Sequence, residues 1–171
     1  FSIIASNKGA KVISFEPNFE IFKIFVRNIS INKCENIYPL NVGIFNQLTE
    51  KSMFTYKNKS GKAFVQNKTK YNNILTVDRS FIQIVNNIQF ENCMIKIDVE
   101  GAEYIVLLEL EDVIKSNDRI NTIIIEINPD HLKRFNSKVE DIYILLKEYN
   151  YKPSTEDKSN HYDEIFIKNS K

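Results

Sequence analysis

Cys93 to Val99 reads CMIKIDV, Gly101 follows, Glu103 to Lys115 has helical periodicity, and Thr122 to Ile127 reads TIIIEI. Both apolar runs have the length of strands, and they are closed by Gly101 and by Asn128-Pro129. Between them Val106, Leu107, Leu110, Val113 and Ile114 fall on one side of the helix, with acids in the first turn where they complement the helix dipole. A strand, a helix and a second buried strand make a crossover unit, which predicts parallel pairing within an α/β domain. CMIKIDV has the composition of a central strand covered on both faces.

Toward the C-terminus, Ser137-Lys138-Val139-Glu140 matches a capping box, and Val139, Ile142, Leu146 and Tyr149 continue one helix face. Tyr149 to Thr155 and Tyr162 to Lys168 then read as a closing antiparallel pair around a polar loop. Toward the N-terminus, Phe1 to Gly9 has the pattern of the last turns of a helix stopped by Gly9, and Ala10 to Phe15 is a short strand closed by Glu16-Pro17-Asn18. Asn18 is placed to cap a helix in which Phe19, Phe22, Val26 and Ile29 form a buried stripe. Ile37 to Ile44 is a second strand, residues 51–77 form a β-hairpin excursion, and Phe81 to Ile88 is a short helix. The expected fold is therefore α/β, with a mostly parallel sheet, an antiparallel C-terminal strand and helices on both faces.

A chain of 171 residues with 43% hydrophobic residues can bury one sizeable core, so a single domain over residues 1–171 is expected. Because the chain opens inside a helical pattern, the expectation is a domain whose N-terminal part precedes Phe1. Lys and Arg number 23 against 22 Asp and Glu, so no strong basic field gathers nucleic acid. No basic leader or long apolar run is visible, which predicts no membrane span. Cys34 and Cys93, the two cysteines, are too few and too widely spaced for a disulfide framework, and they fit a reducing, cytoplasmic setting.

Parallel sheets bind ligands at the carboxyl ends of their strands, and the polar residues of this chain cluster there: Glu16, Asn41 with Gly43, Asp98 with Glu100 and Gly101, and Glu126 with Asn128. Glu16 either accepts hydrogen bonds from ribose hydroxyls or is a solvated acid ahead of a turn. Lys96 needs a carboxylate partner, for which Glu126 and Asp78 are candidates. Asp98 and Glu100, beside a glycine that lets a ligand approach the backbone, are candidate functional acids. With Glu126 they could also hold a hard divalent cation through oxygen ligands, whereas no His-rich or Cys-rich spacing supports zinc. His131 is a candidate general base past the end of the Ile123 to Ile127 strand, and His161, in a polar loop, reads as solvated. Lys57, Lys59, Lys62, Lys68 and Lys70 read as a solvated basic face, or as one that steers an acidic substrate or contacts a membrane surface. Only four glycines occur and none forms G-x-G-x-x-G.

The string Val12-Ile13-Ser14-Phe15-Glu16-Pro17-Asn18 is followed by Asn41-Val42-Gly43, by Thr76-Val77-Asp78, by Ile95-Lys96-Ile97-Asp98-Val99-Glu100-Gly101-Ala102-Glu103, and by Ile124-Ile125-Glu126. Taken in this order, these segments resemble the FkbM-type methyltransferases over nearly the whole chain. The resemblance implies a class I methyltransferase fold, a Rossmann-like sheet with an antiparallel last strand, and S-adenosyl-L-methionine as cofactor. It implies that Glu16 binds the cofactor's ribose hydroxyls, that Asn18 with Asn41, Val42 and Gly43 lies near the adenine, and that Asp98 and Glu100 face the methionine and acceptor region. The D-x-G-A-x-x-G turn of such enzymes is not in this sequence, so these 171 residues alone are expected to be inactive. The implied activity is O-methylation of a sugar, glycan or secondary-metabolite hydroxyl with a small-molecule or glycan acceptor as partner; on the residues' own chemistry the candidate catalytic groups are Asp98, Glu100, Glu126 and His131, a carboxylate such as Asp98 or Glu126 to orient the hydroxyl and a neighbouring carboxylate or His131 to take its proton. Two other readings stay open on the residues: a non-catalytic Rossmann-like binding module, and a nicotinamide-dependent oxidoreductase.

Overall fold

The computed structural model describes residues 1–47, 49–55, 63–65, 73–86, 91–155 and 161–169. They divide into two compact units, Phe1–Val77 and Asp78–Lys171.

In the first unit α1 (Ser2–Asn7) ends as its glycine stop predicts, with Gly9 at φ +89°. β1 (Val12–Phe15) pairs in parallel with β2 (Ile37–Leu40), and α2 (Phe19–Ile31) connects them. Asn18 caps α2, its Oδ1 accepting from the N–H groups of Glu20 at 3.0 Å and Ile21 at 3.2 Å. The buried stripe expected at Phe19, Phe22, Val26 and Ile29 is rotated by about one position. Phe19 and Val26 are exposed, and Ile21, Phe22, Phe25 and Ile29 are the half-buried positions. The ring of Phe19 carries the Lys23 ammonium 5.0 Å from its centroid, a contact available only at the surface.

The single strand expected over Ile37 to Ile44 is two strands in two sheets. The chain breaks at Asn41-Val42, and β3 (Gly43–Ile44) joins a second sheet with β4 (Thr49–Thr55), β5 (Ala63–Val65) and β6 (Asn73–Val77) in the order β3-β6-β4-β5. β3 and β6 are parallel, while β4 is antiparallel to both β5 and β6, which is the expected hairpin excursion. Lys57, Lys59, Lys62, Lys68 and Lys70, the basic face read from the sequence, lie outside the described residues.

The second unit begins with α3 (Arg79–Asn86) and continues with β7 (Cys93–Ile97), α4 (Glu103–Glu109), α5 (Glu111–Ser116), β8 (Ile120–Ile127), α6 (Pro129–Leu132), a 3-10 turn over Lys133–Phe135, α7 (Val139–Glu148), β9 (Tyr151–Pro153) and β10 (Tyr162–Lys168). The sheet order is β7-β8-β10-β9, with β7 and β8 parallel and β10 antiparallel to both of its neighbours. The helix expected over Glu103 to Lys115 is thus two helices meeting at Leu110. The Arg79 guanidinium donates to the Leu108 carbonyl at 2.6 Å and so takes an acceptor that an uninterrupted helix would use internally. The capping box is one residue later than expected: Lys138 N–H donates to Asp141 Oδ2 at 2.8 Å, and Ser137 Oγ donates to the Phe135 carbonyl at 3.3 Å.

Right-handed crossovers through α4 with α5, and again through α7, step the same way across this sheet and so place their helices on one face. There Ile97, Ile123, Ile125, Ile127 and Phe166 are buried together with Val106, Leu107, Ile114, Ile142 and Leu146. On the opposite face Met94, Ile165 and Ile167 are exposed. β7 pairs with β8 among the described strands, and Met94 on its face away from the helices is exposed, so the covering on both faces expected from CMIKIDV is incomplete. Ile123, Ile125 and Ile127 of β8 satisfy the covered face, and the intervening positions carry Ile124 and Glu126 to the other.

Candidate functional site

The residues singled out from the sequence form two groups, one in each unit. In the first unit they gather where β1 and β2 end. Glu16 Oε1 accepts from Asn18 N–H at 2.8 Å, and Asn41 Nδ2 donates to the carbonyls of Glu16 at 2.8 Å and Pro17 at 3.2 Å. Asn18 is committed to capping α2 and Asn41 to holding the Glu16-Pro17 turn, so both contribute shape. Val42 is half-buried. Gly43 lies against the same turn, where a Cβ would stand 3.3 Å from Pro17 Cβ and 3.7 Å from Thr76 Cγ2. Glu16 is the group with chemistry to offer. Its Oε2 has no hydrogen-bond partner among the described residues, and burial pushes its pKa up against the lowering effect of the Asn18 N–H.

In the second unit the strand-end turn after β7 is the centre. Glu100 has φ +56° and Gly101 φ +116°, two consecutive residues on the left-handed side of backbone space. A Cβ on Gly101 would lie 2.4 Å from the His131 carbonyl oxygen, so only glycine lets this turn dock against α6. Asn128 starts α6 by accepting from the N–H groups of Asp130 at 3.1 Å and His131 at 3.3 Å. The result sets His131 Nδ1 2.9 Å from Glu100 Oε2, with both side chains less than a fifth exposed.

Asp98, Glu126 and Lys96 lie on the open face of the sheet. Lys96 does not pair with Glu126 or Asp78. Its Nζ is 3.1 Å from Asp163 Oδ1 and 3.4 Å from Asp98 Oδ2. Asp163 stands directly across from Glu126 on β10, within reach of a side chain that follows the same pleat, whereas Asp78 starts α3 by accepting from Ser80 N–H at 3.0 Å. Burial works to lower the Lys96 pKa, but the Asp163 hydrogen bond and the charges of Asp98 and Asp163 outweigh it and raise it. Glu126 has its pKa raised, first by burial and then by the neighbouring Asp98 carboxylate, against the lowering effect of a 2.7 Å contact between its Oε1 and His161 Nε2.

Two participants escaped the sequence reading. His161 reads as a solvated loop residue, but the register that sets Asp163 opposite Glu126 brings its imidazole onto Glu126. Glu103 reads as a first-turn acid complementing the helix dipole, yet it is 2% exposed. Its Oε1 accepts from Gly101 N–H at 3.0 Å and Val99 N–H at 3.3 Å, and its Oε2 is buried without a partner among the described residues. The signal for Glu103 was its place two residues after a glycine that ends a strand. For His161 no local signal exists, because its partner is 35 residues away.

Chemically the second unit offers two carboxylate–imidazole contacts: Glu126 and His161 share a hydrogen bond, while Glu100 lies 2.9 Å from His131 Nδ1 at ion-pair distance, outside hydrogen-bond geometry. Asp98, Glu100 and Glu126 do not converge, since Glu100 turns to His131; among the described residues no group of three or more His, Cys, Asp or Glu side chains could hold a metal ion. No helix of the described residues is long and apolar enough to cross a membrane. No curated protein and no solved structure matches the chain. The Methyltransferase FkbM domain, however, matches residues 1–153, a span that contains both groups of candidate residues except His161 and Asp163. The chain therefore belongs to the FkbM family of methyltransferases.

Proposed function

We propose that the protein is an S-adenosyl-L-methionine-dependent O-methyltransferase acting on a hydroxyl of a sugar, glycan or secondary-metabolite acceptor. Within a methyltransferase family, the observation that carries this reading is the Glu100–His131 contact, because an imidazole beside a carboxylate can accept the proton that a hydroxyl loses on methylation. The same reading takes residues 1–171 as one methyltransferase-like domain of the Rossmann-like, class I kind. The parallel pairs β1–β2 and β7–β8 and the antiparallel β10 support it.

The residues present suit the cofactor. Glu16 stands at the end of a parallel strand with one carboxylate oxygen free to accept from a vicinal diol, and the Asn18, Asn41 and Gly43 framework fixes the turn that carries it. When bound, the cofactor supplies an electrophilic methyl group on a positively charged sulfur. The chain must then align an acceptor oxygen and relieve it of its proton, so positioning dominates. In this reading Asp98 and Glu126 accept hydrogen bonds from acceptor hydroxyls on the open face of the sheet, Lys96 holds Asp98 in place, and His131 takes the proton while Glu100 stabilises the imidazolium.

Calorimetric titration tests the reading. Micromolar binding of S-adenosyl-L-methionine by the full-length protein is expected, weakened about tenfold or more by Glu16→Gln, as befits loss of a hydrogen bond to a charged group. Transfer of a labelled methyl group to a panel of glycosides should fall in Asp98→Asn and in Glu126→Gln. Failure of the methyl donor to bind would end the proposal, and binding of NADH in its place would point to the oxidoreductase reading.

A further inference from the structure

Glu100 is the one non-glycine residue in the turn after β7 held at positive φ, at +56°, and it is followed by Gly101 at +116°. Left-handed backbone is unfavourable for a residue with a Cβ, so something outside Glu100 must hold it there. The two amides that flank it, those of Val99 and Gly101, both donate to a single atom, Glu103 Oε1, at 3.3 and 3.0 Å. One oxygen therefore fixes the Glu100–Gly101 peptide after Glu100 and the Asp98–Val99 peptide one residue before it, bracketing the turn. With the backbone so turned, the Glu100 carboxylate leaves on the other side and meets His131 Nδ1 at 2.9 Å. The contact is backed from below, because Gly101 is packed so closely on His131 that a Cβ would come within 2.4 Å of its carbonyl oxygen.

We infer that Glu103 is the positioning residue of the Glu100–His131 pair: its buried carboxyl group pins the Val99–Gly101 turn in the course that aims Glu100 at His131. For its bearing on catalysis this rests on the proposed role of that pair in taking the acceptor's proton. Glu103 acts as a hydrogen-bond acceptor of carbonyl type. Its Oε2 is buried without a partner among the described residues, and it is 2% exposed, surroundings hostile to a second charge. Burial raises its pKa, against the lowering effect of the Gly101 and Val99 amides, and Glu126 on β8 raises it further.

The competing account is that Glu103 is an acid in the first turn of α4 that balances the helix dipole. The two accounts predict opposite outcomes for two conservative substitutions. Glu103→Gln keeps the accepting oxygen at the same reach and removes the acid, whereas Glu103→Asp keeps the acid and withdraws the oxygen by about one C–C bond, ~1.5 Å.

The test is nuclear magnetic resonance of the whole protein. It has two histidines, so the imidazole of His161 serves as an internal reference for that of His131. Among the described residues, Glu100 from the turn and Asp130 on its own segment lie near His131, with Lys133 and Arg134 beside Asp130, and none of these is altered. In Glu103→Asp the His131 titration midpoint should fall as Glu100 is released, since a carboxylate close to the ring favours the imidazolium. Amide exchange at Val99 and Gly101 should quicken by about tenfold or more. In Glu103→Gln neither should move, and His161 should be unaffected in both. A shift in Glu103→Gln with none in Glu103→Asp would overturn the inference in favour of the dipole account, and so would a Gln variant that does not fold. No shift in either variant would overturn it outright. None of these readouts uses a methyl donor or acceptor, so a protein that passes them yet binds no donor loses the proposed function alone.

Discussion

Replacing Gly101 by alanine should be among the most damaging single changes in the chain, and its size can be worked from the turn. Two penalties combine. At φ +116° a residue with a Cβ meets the steric cost of left-handed backbone, about 1–2 kcal/mol. The new methyl would also stand 2.4 Å from the His131 carbonyl oxygen and 2.7 Å from its carbonyl carbon, against an ordinary contact of at least 3.4 Å. Backbone atoms cannot rotate away, so α6 or the turn must move by about 1 Å, an overpacking that costs about 1–3 kcal/mol. The expected loss is about 2–5 kcal/mol. Gly9 is the control, because it has φ +89° with nothing within 4 Å of the place a methyl would take, so Gly9→Ala should show the backbone term alone, about 1–2 kcal/mol. Urea unfolding followed by far-ultraviolet circular dichroism gives both values. Losses of equal size from the two substitutions would refute the claim that contact with His131 is what reserves position 101 for glycine.

Removing the His161 ring in His161→Ala should raise the Glu126 pKa further, because its hydrogen bond lowers that pKa while Asp98 raises it, and Asp98→Asn should lower it; carboxyl carbon shifts over a pH series read both. Between the ordinary glutamate value and the raised one, folded Glu126 holds a proton that the unfolded chain has released, so stability falls as pH rises through that window and Glu126→Gln should flatten the decline in a pH series of melting curves. Asn18→Ala should cost about 1 kcal/mol in thermal unfolding through loss of the α2 cap, with no change at the Glu100–His131 pair.

The crossover from β7 to β8 was legible because isoleucine-rich runs, a glycine stop and a helical stripe are local signals, and they survive in the structure with small shifts of boundary. The break between β2 and β3 was not legible. IYPLNVGI reads as one strand, and only the Asn41 side chain reaching back to the Glu16 and Pro17 carbonyls shows why the chain turns out of the first sheet. The α2 stripe was misplaced by a position because Phe19 is as apolar as Phe22, and composition alone cannot show that a lysine covers one ring. At the site, Asp98, Glu100, Glu126 and His131 could be nominated from their places at strand ends. Their pairing could not, since Glu126 meets His161 and Lys96 meets Asp163 only once β10 has found its register on β8.

That register has a further consequence, for how faithfully the sheet assembles. A slip of β10 by one residue against β8 would turn Phe166 outward and Ile165 inward, and burial forbids it. A slip of two residues restores the inside–outside alternation, so apolar contacts alone discriminate against it weakly. What opposes it are fixed polar partnerships: Lys96 with Asp163, His161 with Glu126, and buried Glu164 with Tyr143 at 2.9 Å and Thr155 Oγ1 at 3.0 Å. The charged strand ends thus serve as an alignment key during folding, and variants that strip them should lose fidelity of strand pairing before they lose the capacity to collapse.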